Sequence, residues 1–182
     1  MHRELLLKEL AAHQPFDETE RRMLARLQRF VEENPECFSP ALPEGHITGA
    51  AWILDFAREH VLLTHHLKLD KWLQLGGHAE GETHPLAVAL REAREESGLT
   101  GIRPLSDRIF DVDVHLIPAR ECRPEHFHYD IRYLMEADRD LPLRVSSESK
   151  ALSWVKLIEI RHWSSEESIT RMAAKSLRFF PG

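Results

Sequence analysis

Cysteine is nearly absent from this chain: Cys37 and Cys122 are the two in 182 residues, and they lie far apart. That excludes a disulfide framework and a cysteine-based metal knot, and makes a reducing cytoplasm the expected compartment. No apolar run approaches the roughly 20 residues of a membrane-spanning helix. The N-terminal MHRELLLKEL is too charged for a secretion signal. Basic residues are not in excess either: 24 Lys and Arg stand against 30 Asp and Glu, a formal net charge of −6. A general nucleic-acid binder would need a basic patch, so that class is set aside. Internal repeats and low-complexity segments are also missing. What is present, 42% hydrophobic and 30% charged residues, is the composition of an ordinary globular chain long enough to bury a core.

Along the chain, residues 3–34 read as two helices. Asp17 followed by Glu20 has the spacing of a capping box at the start of the second. Met23, Leu27, Phe30 and Val31 recur there at helical spacing, a stripe expected to pack on the main domain or on a partner subunit. Pro35, Pro40, Pro43 and Gly45 then mark a connector, which divides residues 1–45, an N-terminal helical extension, from residues 46–182. ITGAAWILDF and HVLLTHH read as strands, separated by a charged turn at 57–59. Residues 73–75 lead into a Gly76-Gly77 turn. Thr83 is the expected N-cap of the next helix, with Pro85 in its first turn and Gly98 at its end. Further strands are expected over 108–117, 127–136 and 152–155, and a closing helix over 164–179. A mixed sheet between helices fits this order.

Glycines and acids concentrate in GGHAEGETHPLAVALREAREESGL, from Gly76 to Leu99. Positions three and four apart share a helix face, so Glu92, Glu95 and Glu96 crowd one surface. Their repulsion would raise their pKa values or favour a bound cation, and hard oxygen ligands suit Mg²⁺ or Mn²⁺. Clustered charges are also the ordinary dress of a solvated helix face. The neighbouring residues count against that plainer reading: Arg91 precedes Glu92, and a Gly-Gly turn followed by Glu80 and Glu82 lies just upstream.

This combination resembles the Nudix box, G-x5-E-x7-R-E-U-x-E-E-x-G-U with U a bulky aliphatic. Arg91, Glu92, Glu95, Glu96, Gly98 and Leu99 fall in register, and the interval from Gly77 to Arg91 matches. Thr83 stands where the box has its first glutamate, with Glu82 one residue early, and Ala93 fills an aliphatic position. The box covers residues 77–99, and the flanking strands carry the resemblance over residues 47–160. It implies an α/β fold, the Nudix α/β/α sandwich with a mixed sheet. It also implies a metal-dependent pyrophosphohydrolase that cleaves the diphosphate linkage of a nucleoside diphosphate joined to another group. Glu92, Glu95 and Glu96 are then the ligands of Mg²⁺ or Mn²⁺, and the Gly77 carbonyl is a further contact. Arg91 completes the catalytic set by orienting the glutamates. The partner is a nucleotide-like small molecule, and the N-terminal helices suit a homodimer.

Two other readings stay open. A Nudix-fold module could sense a nucleotide without turnover, an option kept alive by the displaced first glutamate. A prenyl-diphosphate isomerase would use a cysteine beside the metal, and neither Cys37 nor Cys122 has that context. The general base is unassigned, Glu82 is either a supporting carboxylate or an idle charge, and Glu148 reads as a loop charge before a distal ligand. His65, His66, His78, His126 and His128 could touch phosphates or a softer metal, or be plain hydrogen-bonded histidines. Lys68 and Arg132 could counter phosphate charge. Trp52, Trp72, Phe127 and Tyr129 serve either stacking or the core. A proline beyond the box marks ADP-ribose-cleaving members, but Pro118 falls later than that pattern.

Overall fold

The computed structural model describes residues 2–119 and 124–180. In chain order the elements are α1 (His2–Ala12), α2 (Glu18–Glu33), β1 (Gly45–Asp55), β2 (His60–His66), β3 (Trp72–Leu73), β4 (Leu75–His78), α3 (Pro85–Ser97), β5 (Arg103–Ile117), β6 (His126–Ala137), β7 (Ser149–Lys156), α4 (Ile160–Trp163) and α5 (Glu167–Phe179). A short 3-10 turn over Leu157–Glu159 precedes α4.

β1 organises the sheet. It runs parallel to β6, from Gly45 opposite Phe127 to Asp55 opposite Ala137. Its other edge is shared by β4, opposite Thr48 to Ala51, and β2, opposite Ile53 and Leu54, both antiparallel. β5 lies beyond β6, and β3 and β7 pair with β2. The sheet is therefore mixed, with helices on both faces, as expected. A strand covered on both faces needs an almost continuous apolar run, and β1 is buried along its whole length.

Alternation along β1 assigns the two faces. Ile47, Ala51 and Ile53 join Leu24, Leu27, Phe30 and Val31 of α2 and Val88, Ala89 and Ala93 of α3 in one core. Trp52 and Leu54 join Ile169, Met172 and Ala173 of α5 in the other. The α2 stripe thus packs on the body of the same chain, where Phe30 stacks on Tyr129 with ring centroids 3.7 Å apart.

Several boundaries differ from the sequence reading, each for a local reason. Asp17 does cap α2 by accepting the Glu20 N–H, but the Glu20 carboxylate does not complete the box; it accepts from the Phe16 amide and from Lys175. α3 starts one residue later than expected, with His84 rather than Thr83 at the N-cap, because Pro85 forces the residue before it into extended backbone. β5 starts earlier, at Arg103, across a stretch whose register shifts between Pro104 and Asp111 and so shows no clean alternation. The closing helix starts three residues later than expected, at Glu167, because Ser164, which ends the separate short α4, is extended (φ −139°, ψ 135°). Among the described residues no helix is long and apolar enough to cross a membrane.

Candidate active site

The box residues lie where α3 crosses β4. Gly77 makes room for a carboxylate: a Cβ there would come within 2.4 Å of Glu92 Cδ. The missing side chain lets the Glu92 carboxylate reach the strand backbone. One turn on, Glu96 is buried and its Oε1 accepts the Gly76 N–H at 2.9 Å. Arg91 ties the two elements together. Its guanidinium donates to the His78 carbonyl at 2.9 Å and lies 2.7 Å from Glu92 Oε1 and 3.6 Å from Glu95 Oε2. Gly98 ends the helix in the left-handed region (φ 73°), its N–H donating to the Arg94 carbonyl.

Electrostatics mark these carboxylates as undercompensated. Burial pushes Glu96 up to about 8, the Gly76 N–H opposes that, and the charges of Glu92, Glu148 and Glu95 add to it. Glu92 is also raised, first by burial and then by Glu95, Glu148 and Glu80, with Arg91 acting against them. Oxygen donors held close against their own repulsion match the chemistry of a hard divalent cation. The three box carboxylates do not converge on one point, however. Glu95, its side chain 62% exposed, faces Arg91.

The remaining sequence candidates divide cleanly. Glu148 acts on both Glu92 and Glu96, so the loop before β7 brings its charge to the site. Glu82 does not join it: its carboxylate accepts from the His84 backbone N–H at 3.0 Å and lies 3.1 Å from the His84 ring. His65 stacks on Trp72 and pairs with Asp70, and the His66 ring accepts from the Lys68 and Leu69 amides, so both belong to the β2–β3 turn. Arg132 is buried and paired with Asp111, Asp113 and Asp130, which leaves no free charge for a phosphate. Trp52 is core, its indole N–H donating to Ser176, and Phe127 lies under the Arg26 guanidinium. Cys37 is buried and its thiol is pushed up to about 11 by burial, unsuited to nucleophilic work. Cys122 lies outside the described residues.

Two features escaped the sequence reading. His46 and His115 join His78, His126 and His128 in one imidazole cluster on the face of the sheet away from α3. The signal was available in H-x-H-x-D-x-R from His126 to Arg132, since alternate residues of a strand share a face. The second is a buried ionic network in which Lys175 and Arg171 of α5 meet Asp111 of β5, and Lys175 also reaches Glu20 of α2.

A profile of the NUDIX domain family matches residues 45–175, and the chain belongs to that family. Its class is that of a Nudix-type pyrophosphohydrolase. A probable DHNTP pyrophosphohydrolase from Lactococcus lactis subsp. cremoris is 27% identical over 123 residues, covering 66% of this chain and 72% of that protein. Among solved structures, a C. elegans Ap4A hydrolase superposes with a TM-score of 0.60 at 16% identity, over 73% of this chain and 96% of that one. A NUDIX-family hydrolase from Clostridium perfringens gives 0.56 at 24% identity, over 74% and 98%. The NUDIX domain of Shewanella oneidensis NrtR, solved with ADP ribose, gives 0.54 at 13%, over 80% and 92%. These structural likenesses show a shared fold.

Proposed function

We propose that the protein hydrolyses the diphosphate linkage of a nucleoside diphosphate joined to another group, in a reaction that depends on Mg²⁺ or Mn²⁺. One observation carries this reading: half-buried Glu92 and buried Glu96 are pressed against the Gly76-Gly77 backbone of β4, and burial together with the charges of neighbouring carboxylates raises the pKa of both. Glu92, Glu95 and Glu96, with the Gly77 carbonyl, would hold the cation. When bound, it supplies neutralisation of the phosphate oxygens and a more acidic water.

The chain's own residues do the rest. Arg91 holds α3 against β4 through the His78 carbonyl and keeps the Glu92 and Glu95 carboxylates oriented. The proton lost by the attacking water passes to a carboxylate of the group formed by Glu92, Glu95, Glu96 and Glu148. A nucleotide-like substrate is supported by the names of the relatives and neighbours, which act on or bind DHNTP, Ap4A and ADP ribose. The test is release of phosphate or nucleoside monophosphate from a panel of such compounds, with Mg²⁺, with Mn²⁺ and with EDTA. Cleavage of one compound that EDTA abolishes is expected. Binding of the compounds without any cleavage would move the reading to a sensing module.

A further inference from the structure

The imidazole cluster is a second place where ligand atoms converge, on a different surface and with different chemistry. Along β4, Gly77 faces the Glu92 carboxylate, so the next residue, His78, projects to the opposite face. Along β1, Gly49 faces Pro85 and Val88 of α3, so Thr48 and, two residues earlier, His46 lie away from that helix. β6 places His128 beside His46 and Asp130 beside Thr48. We propose that His46, His78 and His128 form a three-nitrogen site for one borderline divalent cation of the Zn²⁺ class, separate from the carboxylate site across the sheet.

Geometry supports this in two ways. One ligand nitrogen from each of the three residues falls within 4.8 Å of the others. The His78 and His128 Nε2 atoms are 3.3 Å apart. Two nitrogens bound to tetrahedral zinc at about 2.0–2.1 Å are separated by about 3.3–3.4 Å, so this pair already has the spacing of two ligands. Imidazole nitrogens without oxygen donors select zinc, copper, nickel or iron over magnesium. Three protein ligands leave a fourth tetrahedral position for water or a ligand oxygen.

A neighbouring side chain supplies an independent observation. His126 is buried, and its Nδ1 donates to the Pro124 carbonyl at 2.9 Å. That tautomer puts the lone pair on Nε2, which is buried and has no hydrogen-bond partner among the described residues. Its ring centroid lies 5.3 Å from those of both His46 and His128. Burying a polar nitrogen without a partner is costly, and a cation beside it gives the lone pair something to face. Asp130 carries the compensating negative charge nearby, fixed by the Thr48 hydroxyl and the Arg132 guanidinium. Because His78 directly follows Gly77, an ion here would also stiffen β4, whose Gly76 N–H and His78 carbonyl hold Glu96 and Arg91.

The full chain, stripped with EDTA, is titrated with Zn²⁺ by calorimetry and with Co²⁺ by visible absorption. One tight equivalent is expected at the histidines, beside weaker binding at the carboxylates, and the tightly held Co²⁺ should show the intense bands of a tetrahedral nitrogen site. His78→Ala and His128→Ala should each weaken Zn²⁺ binding by at least about tenfold, while Glu96→Gln leaves it unchanged. The wild-type Co²⁺ spectrum answers even if a histidine variant fails to fold. Weak octahedral bands alone, no binding, or tight Zn²⁺ binding lost in Glu96→Gln but retained in both histidine variants would overturn the proposal. None of those results bears on hydrolysis at the carboxylates.

Discussion

Glu20 shows how one side chain couples distant parts of the chain. It is fully buried, and its carboxylate accepts from Lys175 of α5 and from the Phe16 and Val112 amides, with the His13 ring 2.8 Å away. Burial alone would raise its pKa, but His13, Lys175 and the backbone N–H outweigh that and lower it from 4.5 to about 2. A carboxyl depressed on folding stabilises the native state above its unfolded pKa. That stability is lost as pH falls through the folded value. Glu20→Gln is therefore expected to cost about 3 kcal/mol at neutral pH, since Lys175 and His13 lose a buried carboxylate partner, with Asp111 left to Lys175. The deficit relative to wild type should shrink between pH 4.5 and about 2, as urea unfolding across that range would show. The sequence offered Glu20 only as half of a capping box. Its partner is 155 positions away, and no local pattern could reveal it.

At the scale of elements, α3 and β4 work as a pair, and glycine sets their separation. At Gly49 a Cβ would lie 2.5 Å from the Pro85 carbonyl oxygen and 2.8 Å from Val88 Cβ. Backbone cannot yield as a side chain can, so Gly49→Ala is expected to lift α3 and cost about 1–3 kcal/mol of stability. At Gly77 the obstacle is the end of the Glu92 side chain instead. Gly77→Ala should leave the melting temperature nearly unchanged while displacing that carboxylate. Turnover should fall on the order of a hundredfold, as misplacement of about 1 Å does. Parallel melting and kinetic measurements on the two variants separate these effects. This part of the site was legible from sequence because it is local, although the expected Gly76-Gly77 turn is a strand: β4 carries Gly77, and α3 carries Arg91, Glu92, Glu95 and Glu96. Thr83 was misjudged as the cap because the stronger rule, the extended residue before proline, acts on His84.

Across the whole molecule, what the sequence concealed is what the sheet assembles. The histidine cluster draws on β1, β4, β5 and β6, and Glu148 reaches the box glutamates from a loop far along the chain. Spacing arguments see neither. The N-terminal helices were legible as helices, but their burial against Tyr129 and their link to Lys175 were not. Removing residues 1–34 would expose Tyr129 and leave Lys175 beside Asp111 without Glu20. The shortened chain is expected to lose cooperative unfolding, which a thermal melt followed by circular dichroism would detect. A sharp, unchanged melt would show that the remainder folds alone. The central claim is that the clustered glutamates of α3 carry metal-dependent hydrolysis. Its most direct test is the turnover of wild type, Glu95→Gln and Glu96→Gln on the compound that the panel identifies, at saturating Mg²⁺. Loss of turnover in both variants with the fold intact is the expected result, and catalysis that survives both substitutions would contradict it.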